Sequence, residues 1–199
     1  NITWKSDNSG VYFTAQSEGS QNLYFLPIGG RVTPVTRGTH MLAVSDINAA
    51  GIAVGTLTTP EKPADVVRLD VASPSAITQL TRVNDDILNG VKLGKLTEIW
   101  YTAPDGLKVQ GWYITPPDFN PAKKYPMQLH IHGGPHSMYG VGFNYGWQEQ
   151  AANGYVILYT NPRGSTGYGS EFGNSGLRDS KRKSWRPSVS SRFIWKLSR

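Results

Sequence analysis

The stretch "LHIHGGPHSMYG", Leu129 to Gly140, places three of the chain's four histidines around an adjacent pair of glycines. It continues the apolar run "YPMQL", which indicates a buried strand. A glycine pair at the carboxyl end of such a strand leaves backbone N–H groups bare at the sheet edge where α/β proteins bind ligands. The stretch therefore supports three hypotheses: a metal site, a backbone cradle for an oxyanion, or a tight turn without chemistry.

The metal hypothesis depends on the histidines. His130 and His132 are two residues apart along the predicted strand, so their side chains would point to the same face. His136 is the only nearby third ligand, and the turn contains no Asp or Glu, whereas a closed zinc site needs three or four ligands. We expect no metal, and we keep a metal-dependent hydrolase that uses these histidines as an alternative.

The oxyanion hypothesis depends on Gly133 and Gly134. A Cβ at either position would block a sharp turn and the close approach of a carbonyl oxygen. Backbone donors of this kind can stabilise the negative charge of a tetrahedral intermediate. The residues alone leave a turn without chemistry open as well.

A second glycine-rich stretch, "NPRGSTGYG" from Asn161, follows the apolar run "YVILYT". No Lys follows a glycine here as a phosphate-binding P-loop requires, and the glycine spacing misses the dinucleotide fingerprint. We therefore predict no cofactor. Arg163, at the end of the predicted strand, is a candidate anchor for a loop carbonyl or a carboxylate.

The residues around these two stretches predict the local fold. The segments "TEIWYTAPDG" and "LKVQGWYITPP" alternate aromatic and β-branched residues around Asp105-Gly106, which predicts a hairpin. The segment "GFNYGWQEQAANG" predicts a helix that Gly154 closes. Since that helix lies between two apolar strands, we expect a buried and mostly parallel sheet, the beginning of an α/β domain.

The first ninety residues are rich in short β-branched runs and contain a repeat. Gly10, Leu23 and Val32 each begin a segment that recurs 41, 43 and 45 residues later, at Gly51, Val66 and Ile77. This period is close to the ~40 to 45 residues of a propeller blade. We predict about two blades, each built from an outer hairpin that ends in a turn, and a generic β-sandwich is the alternative.

Together, "HIHGGPH" and "GYVILYTNPRGSTGYGSEF" resemble the front of the catalytic domain in the prolyl oligopeptidase family of serine peptidases. The resemblance is to the acylaminoacyl-peptidase and dipeptidyl-aminopeptidase-like branch, and it covers Thr97 to about Phe172. It implies incomplete β-propeller blades followed by the N-terminal part of an α/β-hydrolase domain. The implied boundaries are 1–83 for the blades, 84–94 for a linker, 95–179 for the hydrolase part and 180–199 for a tail outside the family pattern.

The resemblance also implies site residues and a substrate. His132 and the amide of Gly133 correspond to the oxyanion hole. The loops that support the active site correspond to Gly134, Pro135, Asn161, Arg163, Gly164 and Ser165. The implied substrate of the complete parent is a short peptide, cleaved through an acyl-enzyme with release of an aminoacyl or acyl-aminoacyl group.

The nucleophile of an α/β-hydrolase lies on a G-x-S-x-G elbow, followed along the chain by an acid and a histidine. Ser165 directly follows Gly164, Gly173-Asn174-Ser175-Gly176 lacks the closing glycine, and no histidine follows His136. We therefore expect this chain to be truncated before the catalytic serine and to be inactive by itself. A non-catalytic module that binds peptides or proteins is an alternative, and exposed strand edges predict self-association.

The formal net charge of +6 comes from one end of the chain. Seven basic residues and no acid lie in 180–199, which leaves 13 basic and 14 acidic residues before them, so we expect no nucleic-acid partner. Such a tail is typical of a shifted reading frame or a cloning terminus, and a natural basic tail is the alternative. No run is long enough to span a membrane, and no cysteine constrains the compartment; the lack of a signal peptide slightly favours the cytoplasm.

Overall fold

A computed structural model describes residues 1–134 and 136–179 of the chain, which divide into two compact units. Among the described residues, unit 1 comprises Asn1–Val91 together with Gly140–Phe143, and unit 2 comprises Lys92–Tyr139 and 144–179. The predicted tail, 180–199, lies outside the described residues, and so does Pro135.

Unit 1 contains an eight-stranded sheet that consists of two successive sets of four strands. The first set is β1 Ile2–Trp4, β2 Gly10–Ser17, β3 Ser20–Pro27 and β4 Thr33–Pro34. The second set is β5 Met41–Ile47, β6 Ile52–Thr58, β7 Asp65–Asp70 and β8 Thr78–Gln79. Pairing within each set is antiparallel, and one parallel residue pair, Gln21 with Met41, joins the two sets.

The repeat in the sequence corresponds to equivalent strands of the two sets. Its three segments fall on or beside β2 and β6, β3 and β7, and β4 and β8. Each set also begins with a strand that the predicted hairpin unit lacks. This strand is β1 in the first set and β5 in the second. β1 has only three residues and none of them is buried, whereas β5 buries Leu42 and Val44 alternately, a signal that the repeat comparison passed over.

Alternation along the strands of unit 1 determines which face of the sheet is buried. In β7, Val67 and Leu69 are buried, whereas Val66 and Arg68 between them are exposed. The buried hydrophobic side chains form one cluster: Tyr12, Leu23, Leu42, Val44, Ala53, Val67 and Leu69. A four-residue helix, α1 Asp85–Leu88, follows the second set and lies in the predicted linker.

Unit 2 contains a four-stranded sheet and two helices. Its elements are β9 Leu96–Thr102, β10 Lys108–Ile114, β11 Met127–Ile131, α2 Tyr145–Ala152, β12 Val156–Asn161 and α3 Gly169–Asp179. The strand order is β11-β12-β10-β9. The predicted β9–β10 hairpin is confirmed, and Gly106 supplies the left-handed residue of its turn, with a φ of 88°.

The expectation of a mostly parallel sheet is wrong for the described residues. β11 and β12 are parallel, but β10 runs antiparallel to both β12 and β9. Apolar runs show that a strand is buried but not which way its neighbour runs. Burial also differs, because all six residues of β12 are buried while Leu129 and Ile131 of β11 are exposed.

Helix α2 ends where the sequence predicts, and it begins at an N-cap that sequence reasoning did not name. The Asn144 side chain accepts a hydrogen bond from the Trp147 amide at 3.0 Å, and Gly154 follows the C-cap with a φ of 91°. Helix α3 was not predicted, because its sequence "GSEFGNSGLRD" is polar and rich in glycine. No helix within 1–134 and 136–179 has both the length and the apolar character that crossing a membrane requires.

Candidate active-site loops

Two loops leave the sheet of unit 2 at the same edge, because β11 and β12 are parallel and Ile131 pairs with Thr160 at their ends. The first loop comprises residues 132–139, apart from the undescribed Pro135, and the second comprises residues 162–168. The two glycine-rich stretches of the sequence are therefore neighbours in the fold. All of their contacts described below lie within unit 2.

The side chain of Asn161, the last residue of β12, holds the end of the first loop. Its Oδ1 accepts a hydrogen bond from the Tyr139 amide at 2.8 Å, and its Nδ2 donates one to the Tyr139 carbonyl at 2.9 Å. Asn161 is 0% exposed, so water does not compete for these bonds. A third bond, from the Thr166 amide to the Ser137 carbonyl at 2.9 Å, joins the two loops directly.

His132 and Ser165 form a further link between the loops. The Ser165 hydroxyl donates to the Pro162 carbonyl at 2.6 Å, and its Oγ lies 3.0 Å from His132 Nε2. Since a hydroxyl has one proton, Oγ accepts here and Nε2 of His132 is the donor. Ser165 is 0% exposed, so its hydroxyl supports the loop and is closed to a substrate.

Gly133 and Gly134 are exposed, and none of the described residues accepts a hydrogen bond from either amide. Gly134 has a φ of 105°, a conformation that side-chain-bearing residues rarely adopt. At Gly133 no described atom lies within 4 Å of the position that a Cβ would take. The space beside Gly133 is therefore open to another molecule.

The second loop is also tied to neighbouring elements. Arg163 forms an ion pair with Asp105 at the tip of the β9–β10 hairpin, a carboxylate partner of the kind that the sequence suggested. The amide of Gly164 donates to the carbonyl of Phe172 in α3 at 3.3 Å. These contacts fix the second loop from both sides.

Aromatic rings form the floor beneath the first loop. The Tyr139 ring makes T-shaped contacts with the rings of His132, Trp147 and Tyr159, with centroid distances of 5.1, 5.3 and 5.6 Å. Trp147 stacks on Tyr159 at 4.2 Å. Burial raises the pKa of both Tyr139 and Tyr159, so both rings stay neutral and the floor is apolar.

The three histidines of the opening stretch do not share a site. The His130 ring packs against Trp147 at 5.4 Å, His132 faces Ser165, and His136 is exposed. Among the described residues, no three His, Cys, Asp or Glu side chains are grouped so that they could hold a metal ion. The geometry thus gives the metal hypothesis no support.

Sequence reasoning missed three residues of this site: Tyr139, Tyr168 and Gln110. Tyr139 and Tyr168 lie inside the quoted stretches but were given no role. Gln110 is 2% exposed, and its signal was available as a polar residue within the apolar strand "VQGWYI".

No family model matches the chain. The chain is 34% identical over 178 residues to an uncharacterized peptidase of Bacillus subtilis, YuxL, with 86% of this chain and 26% of the relative covered. It is 27% identical over 189 residues to dipeptidyl-peptidase 5 of Porphyromonas gingivalis, with 89% and 27% covered. The structure of Pyrococcus horikoshii acylaminoacyl peptidase superposes with a TM-score of 0.72 at 32% identity, covering 87% of this chain and 26% of that one.

These relatives define the class of protein, because all three are peptidases. The chain belongs with them to the prolyl oligopeptidase family, as its two glycine-rich motifs indicated. It spans about a quarter of the length of the curated relatives it matches.

Proposed function

We propose that the chain supplies the oxyanion-binding part of a serine-type peptidase that acts on short peptides. The observation that carries the proposal is the pair of exposed amides at Gly133 and Gly134, which have no acceptor among the described residues. They lie at the carboxyl end of a strand, where α/β proteins bind ligands. Asn161 at the end of β12 and Ser165 in the second loop support the first loop that carries them.

In this mechanism a serine of the complete enzyme attacks the peptide carbonyl, and the carbonyl oxygen becomes an oxyanion. The amide of Gly133, with His132 beside it, stabilises that charge. The intermediate then collapses, the C–N bond breaks and the amine portion of the peptide leaves, which gives the acyl-enzyme that water hydrolyses. Gly134 gives the first loop its sharp turn, and Pro135, implied by the resemblance as part of that loop, lies outside the described residues. Asn161 at the end of β12 supports the first loop, together with Arg163, Gly164 and Ser165 of the second loop. The released group would be aminoacyl or acyl-aminoacyl.

The nucleophile, the acid and the base of this mechanism are not among these 199 residues, which contain no G-x-S-x-G sequence. We therefore propose that the 199-residue chain by itself is inactive. Incubation with an acyl-aminoacyl chromogenic substrate and a fluorophosphonate probe tests this point. We expect no turnover and no labelled serine, and covalent labelling of any serine would contradict the proposal.

We also propose that residues 1–83 are about two blades of a β-propeller and that 95–179 begin an α/β-hydrolase domain. Support for the blades comes from two sets of four antiparallel strands with matching offsets. Support for the hydrolase part comes from the parallel strands β11 and β12 with α2 between them along the chain.

A chimera tests the catalytic role directly. Residues 95–179 of this chain replace the corresponding segment of Pyrococcus horikoshii acylaminoacyl peptidase, which retains the rest of its own catalytic domain. We expect hydrolysis of an acyl-aminoacyl substrate, and a loss of roughly 10²-fold in kcat when Gly133→Ala fills the space that the substrate carbonyl needs. Gly173→Ala is the matched control, because the nearest described atom to its Cβ is 3.8 Å away. An unchanged kcat in the folded Gly133→Ala chimera would sink the proposal.

The strand edges favour a second candidate, a non-catalytic role in binding peptides or another copy of the chain. β11 ends the four-stranded sheet, and its Leu129 and Ile131 are 36% and 41% exposed. An unpaired, apolar edge strand accepts a further strand readily. Analytical ultracentrifugation tests this role: we expect a dimer that Ile131→Lys weakens, and a monomer at all concentrations would contradict it.

A further inference from the structure

A row of polar side chains crosses one face of the unit 2 sheet. Gln110 in β10 is directly opposite Trp100 in β9 on one side and Asn161 in β12 on the other. Directly opposite residues in a sheet project to the same face, and so does Glu98, two residues before Trp100. Gln110 and Asn161 are 2% and 0% exposed, so this face of the sheet buries polar groups.

These side chains form a continuous chain of hydrogen bonds. Gln110 Nε2 donates to Glu98 Oε1 at 2.9 Å, and Trp100 Nε1 donates to the same oxygen at 2.6 Å. On the other side, the Tyr168 hydroxyl donates to Gln110 Oε1. Asn161 Nδ2 in turn donates to the Tyr168 hydroxyl at 2.7 Å.

The donor and the acceptor in each of these hydrogen bonds are determined by Glu98, at one end of the series. An ionised Glu98 can only accept, so Gln110 turns its amide NH₂ toward Glu98 and its Oε1 toward Tyr168. Tyr168 then donates its one proton to Gln110, which leaves the lone pairs of its oxygen for the NH₂ group of Asn161. Asn161 is thereby oriented with Oδ1 toward the Tyr139 amide and Nδ2 toward the Tyr139 carbonyl.

We propose that Glu98, Gln110 and Tyr168 are positioning residues, which orient the side-chain amide of Asn161 so that it clamps both backbone groups of Tyr139. Through Tyr139 they hold the first loop, which carries Gly133, in one conformation. The catalytic meaning of this clamp rests on the proposed function, but the orientation of Asn161 does not depend on it.

Amide hydrogen exchange in the ¹⁵N-labelled 199-residue chain tests the proposal. In Tyr168→Phe, Asn161 loses the acceptor that fixes its orientation, so the Tyr139 amide should exchange roughly tenfold faster or more. The ladder amides of Ile157 and Leu158 in β12 should keep their rates. Tyr155→Phe is the matched control, since the Tyr155 residue is 37% exposed and lies outside this hydrogen-bond chain.

A second variant, Glu98→Gln, tests the polarity without touching the core, because Glu98 is exposed. A glutamine there can present either a donor or an acceptor to Gln110, so the exchange of Tyr139 should accelerate by a smaller factor. If Tyr168→Phe unfolds the chain, Glu98→Gln decides the question. Unchanged Tyr139 exchange in Glu98→Gln, or acceleration spread equally over β12, would overturn the proposal.

The exchange experiment and the chimera fail separately. If the Tyr139 amide exchanges as slowly in the variants as in the unmodified chain, the positioning role is refuted even if the chimera hydrolyses its substrate. Conversely, an inactive chimera with the expected exchange pattern would refute the peptidase role and leave the positioning chain intact.

Discussion

The two loops that leave β11 and β12 are both rich in glycine, yet they differ in almost every other respect. In the first loop Gly133 and Gly134 are exposed, and their amides have no acceptor among the described residues. In the second, Ser165 is fully buried and Arg163 is paired with Asp105. The polar side chains of the second loop are bonded within the protein, whereas the Gly133 and Gly134 amides of the first loop are available to another molecule.

This difference explains how a loop with unpaired backbone donors can still hold one shape. Preorganised donors stabilise a developing charge because they do not have to reorient during the reaction. The first loop gains that rigidity from outside, through the Asn161 clamp, the Thr166–Ser137 bond and the aromatic floor. We conclude that the second loop is the support and the first is the binding surface.

Removal of the clamp should have the largest effect. In Asn161→Ala, the partly buried amide and carbonyl of Tyr139 lose their partners, and we expect the free energy of unfolding to fall by about 2 to 3 kcal/mol. Asn153→Ala is the matched control, because Asn153 caps α2 in an exposed position and should cost less than about 1 kcal/mol. Urea denaturation followed by circular dichroism measures both, and equal losses would show that Asn161 is no clamp.

The two neighbouring glycines of the first loop should respond differently to the same substitution. Gly134→Ala forces a side chain into a backbone with a φ of 105° and should cost about 1 to 3 kcal/mol. Gly133→Ala meets no described atom within 4 Å, so its unfolding free energy should change by less than about 0.5 kcal/mol. Thermal unfolding of the two variants checks this order, and a larger loss at Gly133 would reverse our assignment of the open space.

Ser165→Ala tests the support within the second loop. It removes the hydroxyl that donates to the Pro162 carbonyl and accepts from His132, so we expect a loss of about 1 to 2 kcal/mol. The Nε2–H of His132 should then exchange faster in the NMR spectrum of the ring. Ser17→Ala, at an exposed position, is the control, and matching losses would mean that the Ser165 hydroxyl is not structural.

The aromatic floor predicts that the protein loses stability at alkaline pH, an effect smaller than those of the substitutions above. Burial raises the pKa of Tyr159, whereas the residue ionises near pH 10 in the unfolded chain. Above that pH only the unfolded state releases the proton, so the free energy of unfolding should decrease as the pH rises.

Unfolding titrations at pH 9, 10 and 11 measure this slope. Tyr159→Phe should make the slope shallower without abolishing it, because burial also raises the pKa of Tyr101 and Tyr139. Tyr155→Phe, at a residue 37% exposed, is the control. A slope in Tyr159→Phe equal to that of the unmodified chain would contradict the prediction.

Local patterns in the sequence were sufficient to predict part of this fold. Alternation around Asp105-Gly106 indicated the β9–β10 hairpin, and a glycine C-cap between two apolar runs indicated β11, α2 and β12. Both signals lie within about a dozen residues of the structure they specify. The direction of β10 beside β12 has no such signal, since it depends on pairing across the intervening β11 and α2.

The candidate site shows the same division. Its glycines and Asn161 were recognised as motifs, but the pairs that give them a shape were not. His132 and Ser165 are 33 residues apart, and Gln110 and Tyr168 are 58 apart. A single polar residue carries no information about its partner at that separation. At Gly133 no described atom lies within 4 Å of the Cβ position, so the predicted steric need for glycine concerns the approach of another molecule and stays a prediction.

Amide exchange in the unmodified chain tests the central claim most directly, because it compares the two loops in one experiment. We predict that the Gly133 amide exchanges within about tenfold of the rate of an unstructured peptide, while the amides of Tyr139 and Thr166 exchange at least about a hundredfold more slowly. Protection of Gly133 equal to that of Tyr139 would show that its N–H is already bonded within the protein, and it would contradict the account.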